Sequence, residues 1–133
     1  MRFEPDNLMS TLESFNPHIV GITGVICEYY KVCDILKKVK GFSKNILTVV
    51  GGTHDTLIPG DYQKDFIEII VIGEGELTFK ELVETYEKKG DLSCIKGIAI
   101  NKNVKLIYTE KRPLIKDLNK IPLPNRSLTK KHR

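Results

Sequence analysis

Three short apolar runs, each ending at glycine, constrain this chain more than any other feature. The runs are His18–Thr23 before Gly24, Ile46–Val50 before Gly51-Gly52, and Glu68–Ile72 before Gly73. Unbroken apolar runs of this length are typical of strands buried on both faces of a parallel sheet. Loops that leave the carboxyl ends of such strands form ligand crevices. The glycine turns therefore predict one shared site.

Segments of helical periodicity separate these runs. The predicted helices are Asp6–Phe15 with Asp6 as N-cap, Cys27–Lys40 with Gly41 at C′, and a segment from the capping box Thr78–Glu81 to Gly90. Strands that alternate with helices predict an α/β fold.

Two further segments show no helical period. Thr53–Phe66 is largely polar and predicts a loop with a short helical turn near Tyr62. After Gly97, apolar residues alternate on both sides of Asn101-Lys102-Asn103, which predicts an antiparallel hairpin.

The location of the charge limits the classes of partner. The formal net charge is +4, but five Lys or Arg and no acid lie between residues 120 and 133, which leaves −1 for the rest. Nucleic-acid binding needs a basic stripe on the folded surface, so we expect no nucleic-acid partner. No apolar run is long enough to cross a bilayer, so we expect a soluble chain with no membrane partner.

The cysteines bear on metal binding and location. Cys27, Cys33 and Cys94 show neither CxxC spacing nor a paired histidine pattern, which argues against a structural zinc site and a disulfide framework. We expect reduced thiols and a cytoplasmic location.

The glycine turns allow two interpretations from the residues alone. Their backbone N–H groups suit a phosphate or another polar ligand. A tight strand exit with no ligand is equally compatible. Neither turn matches GxGxxG or a Walker loop, so mononucleotide binding is not supported.

Three side chains beside these turns carry candidate chemistry. Glu74 and Glu76 could form an acid and base pair or bind a hard cation, but we favour carboxylates placed at the positive end of a helix. His54 could bind a metal or a ligand, but a solvated loop histidine is favoured, since His18 and His132 offer no convincing second ligand.

Several motifs in order resemble the cobalamin-binding domain of B12-dependent radical SAM enzymes. They are Pro17–Thr23, Val49–Thr56, Val71–Phe79, Ile95–Ile98, and Asp117-Leu118 with Ile121–Pro124. The resemblance implies a flavodoxin-like, Rossmann-type parallel sheet with a corrinoid across the carboxyl ends of its strands. The hairpin and the Pro-containing connector would lead toward a radical SAM barrel.

The resemblance also implies a set of cofactor-binding residues. These are Thr23, Gly24, Gly51, Gly52, Thr53, His54, Gly73, Glu74, Gly75 and Glu76. The mutase-type DxHxxG motif is absent, so His54 is not assigned as a cobalt ligand. We assign no catalytic residue and no metal ligand.

The sequence departs from the family at two places. The barrel's CxxxCxxC motif is absent, so no iron-sulfur cluster is expected on this chain. A first β-α-β unit of about 30 residues is also missing by the size of such elements. The sheet is therefore expected to be incomplete at its N-terminus, with an exposed edge that favours self-association or instability.

Two hypotheses follow. We expect residues 1–116 to form a partial cobalamin-binding domain of a radical SAM methyltransferase-like enzyme, inactive alone, and 117–133 to form a basic linker or tail. The partners would be a corrinoid, a radical SAM domain or a second copy. The alternative is an α/β interaction or assembly module that has lost the ligand, and a hydrolase using Glu74 and Glu76 ranks below both.

Overall fold

The computed structural model describes residues 5–117, 119, 121–125 and 127. Its helices and strands are α1 (Pro5–Phe15), β1 (Ile19–Thr23), α2 (Tyr29–Phe42), β2 (Leu47–Gly51), α3 (Thr53–Leu57), β3 (Ile69–Val71), α4 (Gly75–Glu87), β4 (Ile98–Lys102) and β5 (Lys105–Tyr108). Short 3₁₀ turns span Ile26–Glu28, Pro59–Tyr62 and Leu92–Cys94. Most of the predicted tail, 117–133, lies outside the described residues.

The strands form one five-stranded sheet in the order β1-β2-β3-β4-β5. The first three strands are parallel, whereas β4 pairs antiparallel with both β3 and β5. This arrangement confirms the predicted α/β fold with a C-terminal hairpin, and β1 lies at one edge. In the register, Thr23 lies beside Gly51 and Gly51 lies beside Val71. The carboxyl ends of the three parallel strands are therefore level.

The core lies on both faces of this sheet. On one face Val32 and Leu36 of α2 pack in a cluster with Val50 and Ile70. On the other face Leu82 of α4 packs in a cluster with strand residues that include Val49, Ile69 and Ile98. The strands are thus buried from both sides, as their unbroken apolar runs predict.

A polar contact fixes the amino ends of β2 and β3. Glu68 Oε2 accepts hydrogen bonds from Lys40 Nζ at 2.6 Å and from the Thr48 N–H at 3.1 Å. Thr48 Oγ1 donates to the Phe66 carbonyl at 2.9 Å.

No described helix combines the length and the apolar character that crossing a bilayer requires.

Two helices begin at residues other than those predicted. α1 begins at Pro5, so Asp6 lies inside the helix rather than at its N-cap. α4 begins at Gly75, one turn before the predicted capping box, and Thr78 Oγ1 donates to the Glu74 carbonyl at 3.3 Å from inside the helix. A buried threonine can satisfy its hydroxyl in this way without capping.

Glycine was wrongly expected to end two helices. α2 continues through Gly41 to Phe42, and its last turn closes when the Ser43 N–H donates to the Val39 carbonyl at 3.0 Å. After α4 the left-handed residue is Lys89, with φ of 53°, rather than Gly90.

The predicted loop at Thr53–Phe66 contains the helix α3 and a 3₁₀ turn. The turn at Pro59–Tyr62 was expected, but α3 was not. Its five residues carry no apolar periodicity, and Leu57 is 74% exposed. Tertiary contacts rather than a local pattern therefore determine this helix.

The hairpin turn places a β-branched residue in a strained conformation. Asn103 and Val104 have φ of 52° and 57°, and Lys102 pairs with Lys105 around them. Two positive φ angles define a type I′ turn, which suits Asn followed by Gly. In this conformation the Val104 carbonyl accepts a hydrogen bond from the Gln63 side chain.

We expect Val104→Gly to raise the free energy of unfolding by about 1 kcal/mol, because glycine removes the cost of left-handed φ for an L-residue. Urea unfolding followed by circular dichroism measures this change. Val104→Ala is the matched control, since it removes the branching but keeps the Cβ atom. Equal stability of the Gly and Ala variants would contradict the strain argument.

Candidate functional site

A cleft of about 480 Å³ lies at the carboxyl ends of β1, β2 and β3. Six of the predicted site residues line it: Thr23, Gly51, Gly52, Gly73, Gly75 and Glu76. Six further lining residues were not predicted: Gly21, Ile22, Val49, Val50, Val71 and Phe79. These were treated as strand or helix core, and their position on the cleft depends on how α4 packs against the sheet.

Four predicted site residues do not line the cleft. Gly24 is buried, and a Cβ atom there would lie 2.7 Å from Val32 Cγ2, so this glycine permits α2 to pack on β1. Thr53 is the exposed first residue of α3. The side chains of His54 and Glu74 form hydrogen bonds with residues that do not line the cleft. The role of all four toward a ligand stays a prediction.

Gly52 has a structural reason to be glycine. Its φ is 148°, and a Cβ atom would lie 2.9 Å from the Gly24 carbonyl oxygen and 3.0 Å from Thr23 Oγ1. Side chains rarely adopt this φ, and the contact with Gly24 involves backbone. Replacing Gly52 would therefore disturb the fold with or without a ligand.

Thr56 connects the two glycine turns. Its Oγ1 donates to the Gly52 carbonyl at 2.7 Å and accepts from the Gly73 N–H at 3.0 Å. Gly73 has φ of 82°, in the region that favours glycine. A single hydroxyl thus holds both turns at a fixed separation. This role of Thr56 was not predicted.

His54 is buried, so the favoured interpretation as a solvated loop histidine was wrong. Its Nε2 lies 2.9 Å from Asp61 Oδ2, and its Nδ1 lies 3.3 Å from the Tyr62 hydroxyl. The Tyr29 and Tyr62 rings contact it edge to face, with centroids 5.6 and 5.4 Å away. The contacts come from two separate segments of the chain, one with Tyr29 and one with Asp61 and Tyr62.

The surrounding groups define the hydrogen bonds of the His54 ring. Burial raises the pKa of Tyr29 and of Tyr62 to about 12, so both hydroxyls stay protonated. The Tyr62 O–H can then donate to Nδ1, while Nε2–H donates to the Asp61 carboxylate. Both ring nitrogens are therefore engaged within the protein.

Asp55 is a buried carboxyl group with no hydrogen-bond partner among the described residues. It is 1% exposed, and both of its side-chain oxygens lack a donor there. Oδ1 and Oδ2 lie 3.5 and 4.0 Å from the positions that Cβ atoms would take at Gly52 and Gly51. Burial raises the pKa of the Asp55 carboxyl above its usual 3.8.

Glu74 and Glu76 lie at the start of α4, as the favoured interpretation predicted. Glu74 Oε2 accepts a hydrogen bond from the Ile115 N–H at 2.7 Å, so it ties down the segment that follows β5. Arg112 supports the same segment through an ion pair with Glu81. Within the described ranges, no three His, Cys, Asp or Glu side chains come together as a metal site would need.

Comparison with known proteins gives a family match for this chain. The model of the B12 binding domain family matches residues 1–83. An uncharacterised methyltransferase of Pyrococcus horikoshii is 36% identical over 124 residues, which cover 92% of this chain and 27% of that protein. An anaerobic magnesium-protoporphyrin IX monomethyl ester cyclase of Rubrivivax gelatinosus is 32% identical over 122 residues, covering 87% and 22%. The chain spans about a quarter of these relatives.

Solved structures share the fold at lower identity. The radical S-adenosylmethionine methyltransferase TsrM of Kitasatospora setae superposes with a TM-score of 0.68 at 20% identity, over 79% of this chain and 22% of that one. The cobalamin-dependent S-adenosylmethionine radical enzyme OxsB with aqua-cobalamin bound gives 0.70 at 17% identity, over 82% and 16%.

We expect Asp55→Asn to stabilise the protein by about 1–3 kcal/mol at neutral pH, because an unpaired buried carboxylate loses its hydration. The folded-state pKa is raised, so the folded chain holds its proton more tightly than the unfolded chain. Wild-type stability therefore falls as pH rises from about 3.8 through the folded pKa. The groups that face this carboxyl are His54 and Tyr62.

Urea unfolding of both proteins from pH 4 to pH 8 measures the difference. The advantage of the variant should grow with pH and then become constant. An advantage that is independent of pH would contradict the assignment of a raised pKa to Asp55.

Proposed function

We propose that this chain, because it belongs to the B12-binding domain family, binds cobalamin in the cleft at the carboxyl ends of β1, β2 and β3. The observation that carries this proposal is the concentration of glycine. Five of the ten glycines line this one cleft: Gly21, Gly51, Gly52, Gly73 and Gly75. A flat macrocycle needs a surface without side chains if it is to lie close to the backbone.

The other lining residues suit the same ligand. A corrin ring presents an apolar face and a rim of amide groups. Ile22 and Phe79 supply apolar surface to the cleft, and the buried side chains of Val49 and Val71 form its floor. Thr23 and Glu76 supply polar atoms on its lining, where amides can form hydrogen bonds. These residues fit a cobalamin.

The chain's own residues contribute binding and orientation rather than reaction chemistry. A bound cobalamin supplies a cobalt centre that carries the reactive group, and the protein positions it. Both nitrogens of His54 are engaged by Asp61 and Tyr62, so this ring is held within the protein and we assign it no role in the reaction. We therefore assign the chain as the cobalamin-binding part of a radical SAM methyltransferase-like enzyme, with catalysis in a separate radical SAM domain.

The remaining expectations stay predictions. They are the domain division at residue 116, the cytoplasmic location and self-association through the edge of β1. The competing hypothesis of a ligand-free interaction module is tested by the same experiment as cobalamin binding.

Titration of the purified chain with aquacobalamin should change the corrinoid absorption spectrum, and the two should co-elute on gel filtration. We expect Gly75→Leu to weaken binding at least about tenfold, the factor that about 1.4 kcal/mol produces. A Cβ atom at Gly75 meets only Val71 Cγ1 at 3.7 Å, an ordinary contact. The Cβ atom of a leucine is therefore tolerated there, and circular dichroism of Gly75→Leu checks that the fold is kept.

Gly41→Ala is the control, because Gly41 lies in α2 with no atom within 4 Å of its added Cβ. It should bind cobalamin as tightly as the wild type. A wild-type chain that gives no spectral change and no co-elution would favour the ligand-free module. Unchanged binding by Gly75→Leu would place the ligand outside this cleft.

A further inference from the structure

Thr56 bonds to both glycine turns of the cleft but does not line the cleft itself. Its Oγ1 donates to the Gly52 carbonyl at 2.7 Å and accepts from the Gly73 N–H at 3.0 Å. Gly52 follows β2 and Gly73 follows β3, and both glycines line the cleft. The hydroxyl of Thr56 is therefore a bridge between two parts of the cleft lining.

The Gly52 end of this bridge is fixed by close packing. A Cβ atom at Gly52 would lie 2.9 Å from the Gly24 carbonyl oxygen and 3.0 Å from Thr23 Oγ1, so the backbone there has no room to shift. The Thr56 N–H also donates to the Gly52 carbonyl, at 3.3 Å. Thr56 is therefore held at the Gly52 turn even without its hydroxyl.

The Gly73 end of the bridge is less constrained. Gly73 lies in the segment between the end of β3 at Val71 and the start of α4 at Gly75. Its φ is 82°, and a Cβ atom there would meet no other atom within 4 Å. Because glycine reaches many backbone conformations, a contact has to select one of them. The hydrogen bond to Thr56 Oγ1 provides that contact.

A cobalamin in the proposed site would lie against both turns, so its affinity depends on their separation. A rigid macrocycle cannot follow a turn that moves, and a turn that becomes ordered only on binding costs entropy at that moment. A bridge that already exists in the unliganded chain removes this cost.

We propose that Thr56 is a positioning residue for cobalamin, whose hydroxyl sets the separation of the Gly52 and Gly73 turns before the cofactor binds. This inference rests on the proposed function. It assigns a role to a residue that was not among the predicted site residues.

Absorption titrations with aquacobalamin compare the wild type with Thr56→Val, which keeps the shape of threonine and lacks the hydroxyl. The dissociation constant of this variant should be about fivefold higher or more, which corresponds to about 1 kcal/mol. Thr56→Ser keeps the hydroxyl and should bind within about twofold of the wild type. Thr56→Ala replaces the valine variant if that variant unfolds, and circular dichroism reports folding.

Thr48→Val is the matched control, because Thr48 forms a similar bridge at the amino ends of β2 and β3. Its Oγ1 donates to the Phe66 carbonyl at 2.9 Å and accepts from the Glu68 N–H at 3.3 Å. Thr48 does not line the cleft. The control should keep the wild-type dissociation constant whatever its stability in urea, so it separates positioning from the general loss of a threonine hydroxyl.

Amide hydrogen exchange at Gly73, measured by NMR in the unliganded chain, reports the bridge without cobalamin. Exchange should be about fivefold faster in Thr56→Val than in the wild type, because the Gly73 N–H has lost its acceptor. An unchanged exchange rate would overturn the inference.

The binding outcomes separate this inference from the proposed function. Equal affinity of the wild type and Thr56→Val overturns the inference and leaves cobalamin binding intact. Binding by Thr56→Ser or by Thr48→Val that is as weak as that of Thr56→Val overturns it as well. A wild type that binds no corrinoid overturns both.

Discussion

The burial of β2 is the constraint on which the rest of the structure depends. Val50 packs in the cluster with α2, and its neighbour Val49 packs in the cluster with α4 on the opposite face. Because consecutive side chains of one strand serve both cores, a shift of one residue would exchange the two sets. The same register makes Gly51 level with Thr23 and Val71. Packing of the core therefore decides where the cleft opens.

The strands of the cleft were predictable because an unbroken apolar run reports burial on both faces directly. Ile46–Val50 was predicted and Leu47–Gly51 is observed, a difference of one residue. The location of the site at the strand ends follows from the same runs, since a parallel sheet brings its carboxyl ends to one edge. The family resemblance agrees with the family match over residues 1–83. Six of its ten implied residues line the cleft.

What could not be predicted depends on contacts between distant segments. α3 has no apolar stripe, and Tyr29, which contacts His54, lies in a different helix. A histidine in a polar segment gives no local sign that two tyrosines will bury it. The isolation of Asp55 is equally invisible in the sequence, because it depends on which neighbours lack a donor. Thr56 connects two turns whose separation only the folded chain defines.

The hydrogen bond from the Ile115 N–H to Glu74 has a consequence for the cleft. Glu74 directly precedes Gly75 and Glu76, which line the cleft, so this hydrogen bond joins the segment after β5 to the first turn of α4. A displacement of the backbone at Ile115 would therefore also move the start of α4, and with it two residues of the cleft lining.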